Sequence, residues 1–122
     1  MARTTISKAM RQKVYDKYNG HCAYCGCDLA YKDMQVDHID PVYFSEYNNL
    51  PVDDSLENYN PACRQCNFYK STFTLEQFRI RLTGVLIPNL RKSFDYRLAQ
   101  KYGLIQEQIE PVTFYFEKVG NE

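Results

Sequence analysis

A chain of 122 residues with 44% hydrophobic and 25% charged residues has the length of one globular domain and is too rich in apolar side chains to be disordered. No run approaches the ~20 apolar residues of a membrane span, and Met1–Thr5 lead into a polar amphipathic stretch without a signal-peptide core, so the expected compartment is the cytoplasm. The net charge of zero hides a segregation. Residues 34–60 carry Asp37, Asp40, Glu46, Asp53, Asp54 and Glu57 with no Lys or Arg, and residues 61–101 carry eight basic residues against only Glu76 and Asp95. An acidic pocket beside a basic surface suits a metal-dependent protein acting on a polyanion; charges scattered over a solvated surface fit the same count.

In chain order, the spacing predicts a first helix from Ser7, as N-cap, to about Tyr18. Met10, Val14 and Tyr18 form its apolar stripe, and Gly20 stands near its end. Cys22 to Cys27 read as a tight loop, with Gly26 where the backbone must turn back. The alternation of Met34 to Ile39 predicts a short strand. Pro41 to Leu56, rich in Asn, Asp, Ser and Pro and holding Tyr43, Phe44 and Tyr47, read as a long loop, and Asn58 to Pro61 as a second strand. A helix starts near Cys63 and includes Asn67 and Lys70. Thr74 caps another over about 75–83, Ser93 caps one ending near Gly103, and the alternation of Val112, Phe114 and Phe116 predicts a closing strand. The class is α+β with a small irregular centre, and the absence of linkers or repeats predicts a single domain over 1–122.

Four of the five cysteines form two pairs, Cys22-Ala-Tyr-Cys25 and Cys63-Arg-Gln-Cys66. In a reducing compartment two C-x-x-C pairs read as one tetrahedral zinc site rather than as disulfides. A redox pair is the competing reading. Cys27 and His21 are alternative ligands, left out because Cys25 precedes Gly26 and His21 adjoins Cys22. The two pairs are far apart in sequence, so zinc would clamp everything between them. A structural zinc supplies on the order of 10–16 kcal/mol of apparent binding energy, comparable to the ~5–15 kcal/mol net stability of a domain.

Between the pairs lie Val36-Asp37-His38-Ile39-Asp40-Pro41, Leu56-Glu57-Asn58 and Cys63-Arg64-Gln65-Cys66-Asn67-Phe68-Tyr69-Lys70. This ordered set resembles the HNH endonuclease family over about residues 10–75. The resemblance implies a ββα-metal core (HNH or His-Me finger) over 20–72, stapled by a four-cysteine zinc site, with 73–122 as an extension of helices and a strand. It further implies His38 as general base, Asp37 and Asn67 as ligands of a catalytic metal, and Asn58 as the brace of the loop between the strands. The implied product ends are 5′-phosphate and 3′-hydroxyl, with DNA as substrate.

Chemistry supports these residue types independently. Water, with a pKa near 15.7, must lose a proton to attack a phosphodiester, and imidazole is the side chain suited to accept it near neutral pH. Hard oxygen donors such as Asp37 and Asn67 suit Mg²⁺ or Mn²⁺, which would offset the charge on phosphate. Neighbours on a strand point to opposite faces, so Asp37 and His38 converge only if the strand departs from regularity there. Lys70, one turn beyond Asn67, and Arg64 are in place to touch a phosphate, or are ordinary surface cations. Tyr59 and Tyr69 are candidates for stacking on bases, and Arg79, Arg81, Arg91 and Lys92 for contact with DNA. The family pattern often has a small flexible turn after the D-H-I-x-P segment. Here Val42 to Leu50 is bulkier and carries Glu46, which puts substrate approach in question. Two further readings are a zinc-stabilised nucleic-acid-binding or protein-interaction module with an idle nuclease centre, and a purely structural zinc protein. Protein partners and oligomeric state leave no mark in the sequence.

Overall fold

The computed structural model describes residues 6–49, 51 and 53–120; Met1–Thr5 and Leu50 of the acidic loop lie outside the described residues. The chain forms two compact units, residues 1–75 with 113–122, and residues 76–112.

The first unit opens with helix α1 (Lys8–Asp16), capped by the Ser7 side chain accepting from the Met10 amide. Val14 points inward and is fully buried, packing with Leu29, Met34 and Tyr59 against Met10, Val36 and Leu56. Tyr18 lies past the helix end, and its ring meets Phe116 instead. Two cations then tie the helix down. Arg11 donates to the Tyr31 and Met34 carbonyls (2.8 and 2.9 Å), and Lys17 Nζ donates to those of Leu56 and Tyr59 (3.0 and 2.7 Å). Burial pulls the Lys17 ammonium below its ordinary pKa, with Glu57 opposing.

Two short strands, β1 (Gln35–His38) and β2 (Tyr59–Ala62), pair antiparallel, with Asp37 opposite Asn60 and His38 opposite Tyr59. Helix α2 (Val42–Tyr47) and a 3₁₀ turn (Leu56–Asn58) interrupt the connection between them. The expected long loop is therefore partly helical, with the Ser45 amide donating to the Pro41 carbonyl (3.1 Å) to close its first turn. Helix α3 (Arg64–Lys70) follows β2 directly and has Cys63 as N-cap.

The returning segment corrects the expected closing strand. Phe114 is extended and buried, but helix α7 (Tyr115–Val119) begins immediately after it. The Glu117 carboxylate accepts from the Phe114 amide (2.8 Å), and the Tyr115 and Phe116 amides donate to the Tyr24 and Ala23 carbonyls. Those amides find partners in the cysteine loop, and a carboxylate at the third helical position starts a helix where alternation alone suggested a strand.

The second unit is helical: α4 (Leu75–Arg81), which begins at the unit boundary, a π-turn (Leu82–Leu86), α5 (Ile87–Arg91) and α6 (Phe94–Lys101) capped by Ser93. Glu107 gathers Arg91, Tyr96 and Gln100 around its carboxylate, and Arg79 donates to the Val112 carbonyl (2.6 Å). No described helix is long and apolar enough to cross a membrane.

Candidate active site and metal centre

The cysteine loop is shaped by its own backbone bonds. The Cys22 amide donates to Cys27 and the Gly26 amide to Cys22 (2.9 and 3.0 Å), and Gly26 has φ +81. A Cβ on Gly26 would stand 2.7 Å from the Tyr115 ring, so this position needs glycine for both conformation and space. The Ala23 amide donates to Pro61 of β2 (2.8 Å), which brings the loop to the start of α3. The Sγ atoms of Cys22, Cys25, Cys63 and Cys66 consequently lie within 4.8 Å of one another. A tetrahedron with Zn–S bonds of about 2.3 Å has edges of about 3.8 Å, and the Cys25 and Cys63 sulfurs are 3.8 Å apart. The hydrogen bond between Cys66 and Cys22 draws the Cys22 thiol down in pKa and drives the Cys66 thiol up. Four thiolates this close need a cation among them, and the donor set fits zinc. Cys27 stands outside the four-sulfur cluster, and His21 is turned to Asp28 (3.1 Å) and the Tyr115 ring.

On the other side of α3, Asp37, His38 and Asn67 border one cavity of about 230 Å³, with Ser71 and Thr72 at its edge. β1 stops at His38 and the chain bends at Ile39 and Asp40, so the two neighbours share the cavity at the strand's end rather than through distortion within it. Ser71, the C-cap of α3, has φ 49, a left-handed conformation unusual for a non-glycine residue.

Asp37 is buried and held on both oxygens. Tyr24 donates to Oδ2 (2.5 Å), and Lys70 Nζ lies 3.1 Å from Oδ2 and 3.4 Å from Oδ1. Burial raises the Asp37 carboxyl pKa, and Lys70, Tyr24 and His38 pull the other way. The Tyr24 phenol is raised well beyond its usual range by burial and by that carboxylate. Lys70 also donates to the His38 carbonyl (2.9 Å) and is 0% exposed. This corrects the expectation of a phosphate-contacting cation at Lys70: its head group is sealed inside, where Asp37 compensates the charge. Arg64 is exposed but borders a separate cavity beside Cys27 and Cys63.

Asn58 spans the connection between the strands. Its side chain accepts from the Asp40 amide (2.8 Å) and donates to the Asp40 and Asp53 carbonyls (3.2 and 2.8 Å). His38 Nε2 lies 2.9 Å from Asp54 Oδ1, and the His38 ring meets Tyr59 edge-on at 5.0 Å. Tyr59 is therefore buried and unable to stack on a base, whereas Tyr69 is half-buried. Arg79 and Arg91 are engaged with Glu76 and Glu107. Tyr24 and Asp54 escaped the sequence reading. Tyr24, between two cysteine ligands, offered no signal beyond its place in the knuckle, and Asp54 was one acid among six.

Residues 22–73 match the family model of the HNH endonucleases. The chain is 30% identical over 77 residues to the SPbeta prophage-derived protein YoqL of Bacillus subtilis (strain 168), whose name assigns it provisionally to the HNH endonucleases. That alignment takes in 60% of this chain and 33% of YoqL, so the chain spans about a third of that relative. The fold is shared with the crystal structure of the Type II-C Cas9 enzyme from Actinomyces naeslundii, with a TM-score of 0.52 and 22% identity over 90% of this chain and 12% of that one. The two strands, helix α3 and the four-cysteine cluster all lie within the segment, residues 22–73, that matches the HNH endonuclease family model.

Proposed function

We propose that the protein is a DNA endonuclease in which His38 is the general base, Asp37 and Asn67 hold one catalytic Mg²⁺ or Mn²⁺, and Asn58 keeps the connecting loop in place. One observation carries this reading: strand β1 and helix α3 present an imidazole, a carboxylate and an amide to a single cavity. The donor set fits a hard cation. A carboxylate has about four lone-pair positions, and Tyr24 and Lys70 occupy three on Asp37, leaving one toward the cavity. When bound, the cation supplies charge to offset that building on the phosphate and leaving oxygen.

The chain's own residues do the rest. His38 takes a proton from water as the oxygen attacks phosphorus, and the 3′-oxygen leaves with the bond's electron pair. Lys70 favours the ionised form of Asp37 against its burial and fixes the His38 backbone. Zinc at the four cysteines sets the start of α3, and Asn67 directly follows Cys66, so the clamp positions the amide. In this reading the nuclease domain is one functional body and residues 76–112 an accessory to it, and the protein works in the cytoplasm. Incubating supercoiled plasmid with the protein and Mg²⁺ or Mn²⁺ tests it: nicking is expected from the native chain and none from Asp37→Ala. DNA binding without cleavage by the native, zinc-loaded protein would instead establish an idle centre.

A further inference from the structure

The acidic loop contributes a residue that no motif assigns. We propose that Asp54 is a positioning residue for His38: its carboxylate accepts the Nε2 proton, fixing the neutral imidazole in the Nε2–H tautomer and leaving Nδ1 as the nitrogen that receives the proton of the attacking water. The inference rests on His38 being the base, as argued above.

The geometry has three parts. Asp54 Oδ1 is 2.9 Å from His38 Nε2, within ordinary hydrogen-bond range. The Tyr59 hydroxyl donates to the same oxygen (3.2 Å) while its ring stands edge-on to the imidazole at 83°, so one tyrosine restrains both partners. The turn that carries Asp54 is itself held: Asp53 accepts from the Ser55 amide and hydroxyl (2.9 and 2.6 Å), and Asn58 donates to the Asp53 carbonyl. Asn58 thus acts on the imidazole at a distance, by fixing the turn whose carboxylate fixes the ring. A histidine in the wrong tautomer presents N–H where a lone pair is required and cannot act as a base, which is the reason such carboxylate partners matter. Proton transfer also leaves an imidazolium whose positive charge faces the Asp54 carboxylate. Half of the Asp54 side chain is exposed, against 21% for His38, so its replacement need not disturb packing.

The test uses the full zinc-loaded chain with plasmid DNA and saturating Mg²⁺, comparing Asp54→Ala, Asp54→Asn and Asp54→Glu with His38→Ala. Loss of an orienting partner of this kind lowers activity on the order of 10–100-fold. We expect kcat to fall by that amount for Asp54→Ala and Asp54→Asn with KM for DNA unchanged, and partial recovery in Asp54→Glu. Nitrogen-15 spectra of histidine-labelled protein give the second readout. Only His21 and His38 are present, so the His38→Ala spectrum assigns the signals. The native protein should show the Nε2–H tautomer, and Asp54→Asn a shift toward a mixture. Unchanged kcat or an unchanged tautomer population in Asp54→Ala would overturn the proposal, as would a rise in the metal concentration for half-maximal rate at constant kcat, which would make Asp54 a metal ligand. Full cleavage by His38→Ala would instead remove the assigned base, a failure of the earlier reading and not of the Asp54 contact.

Discussion

The two units of the chain distribute their side chains in opposite ways. In the first, polar groups are inside: Asp37, Asn58, Asn60 and Lys70 are buried there, with the four cysteines nearby. In the second, apolar groups are outside: Phe94, Leu98, Tyr102 and Leu104 are all exposed, and Phe78 is the buried hydrophobic residue among those described. Buried polar groups are costly unless each finds a partner, and Asp37, Asn58 and Lys70 find theirs around the candidate site. Exposed apolar side chains distinguish the second unit, and buried charge distinguishes the candidate site of the first.

Zinc removal gives the strongest test of this contrast. Chelation should withdraw on the order of 10–16 kcal/mol from the first unit. Amide exchange should show protection lost across β1, β2 and α3 while the helices of 76–112 retain theirs; simultaneous melting of both units would break the distinction. Next, His38→Ala should lower kcat about 10²–10⁴-fold with the denaturation midpoint unmoved, since this partly exposed ring serves chemistry more than packing. Lys70→Met should cost about 3–5 kcal/mol in denaturant unfolding, because it strands Asp37 as an uncompensated buried charge. Polar replacements in the second unit, such as Leu98→Ser, should stay within about 0.5 kcal/mol.

The smallest effect concerns pH. The hydrogen bond from Arg91 holds the Glu107 carboxyl down to about 2. A carboxyl whose folded pKa lies below its unfolded value, here about 4.5, adds stability at higher pH that disappears as pH falls through about 2. Helical circular dichroism of the native chain should therefore decline between pH 4.5 and 2, and Glu107→Gln should flatten that decline.

Much of this was legible from local spacing. The C-x-x-C pairs, the Asp37-His38 dipeptide and Asn67 beside Cys66 are each short motifs whose chemistry depends on neighbours in sequence, and the structure brings all of them to two adjacent places. Partnerships across long separations were not legible. Nothing near Lys70 announces that it will be buried against Asp37, 33 residues earlier, and a lysine on a short helix reads as surface by default. The strand expected at 112–116 failed for a related reason: alternation reports an extended backbone but not whether a partner edge exists to pair with it. Phe114 is extended as expected, and the cysteine loop rather than a sheet receives the amides that follow.

That return of the chain bears on where this domain can be cut. The family-model match ends at residue 73, yet the ring of Tyr115 rests on Gly26 and the ring of Phe114 meets that of Tyr24 edge-on. Trimming a recombinant fragment to the matched segment would strip one wall from the cysteine knuckle. A minimal fragment built from this sequence should instead keep residues 113–120 and replace the intervening helices with a tether.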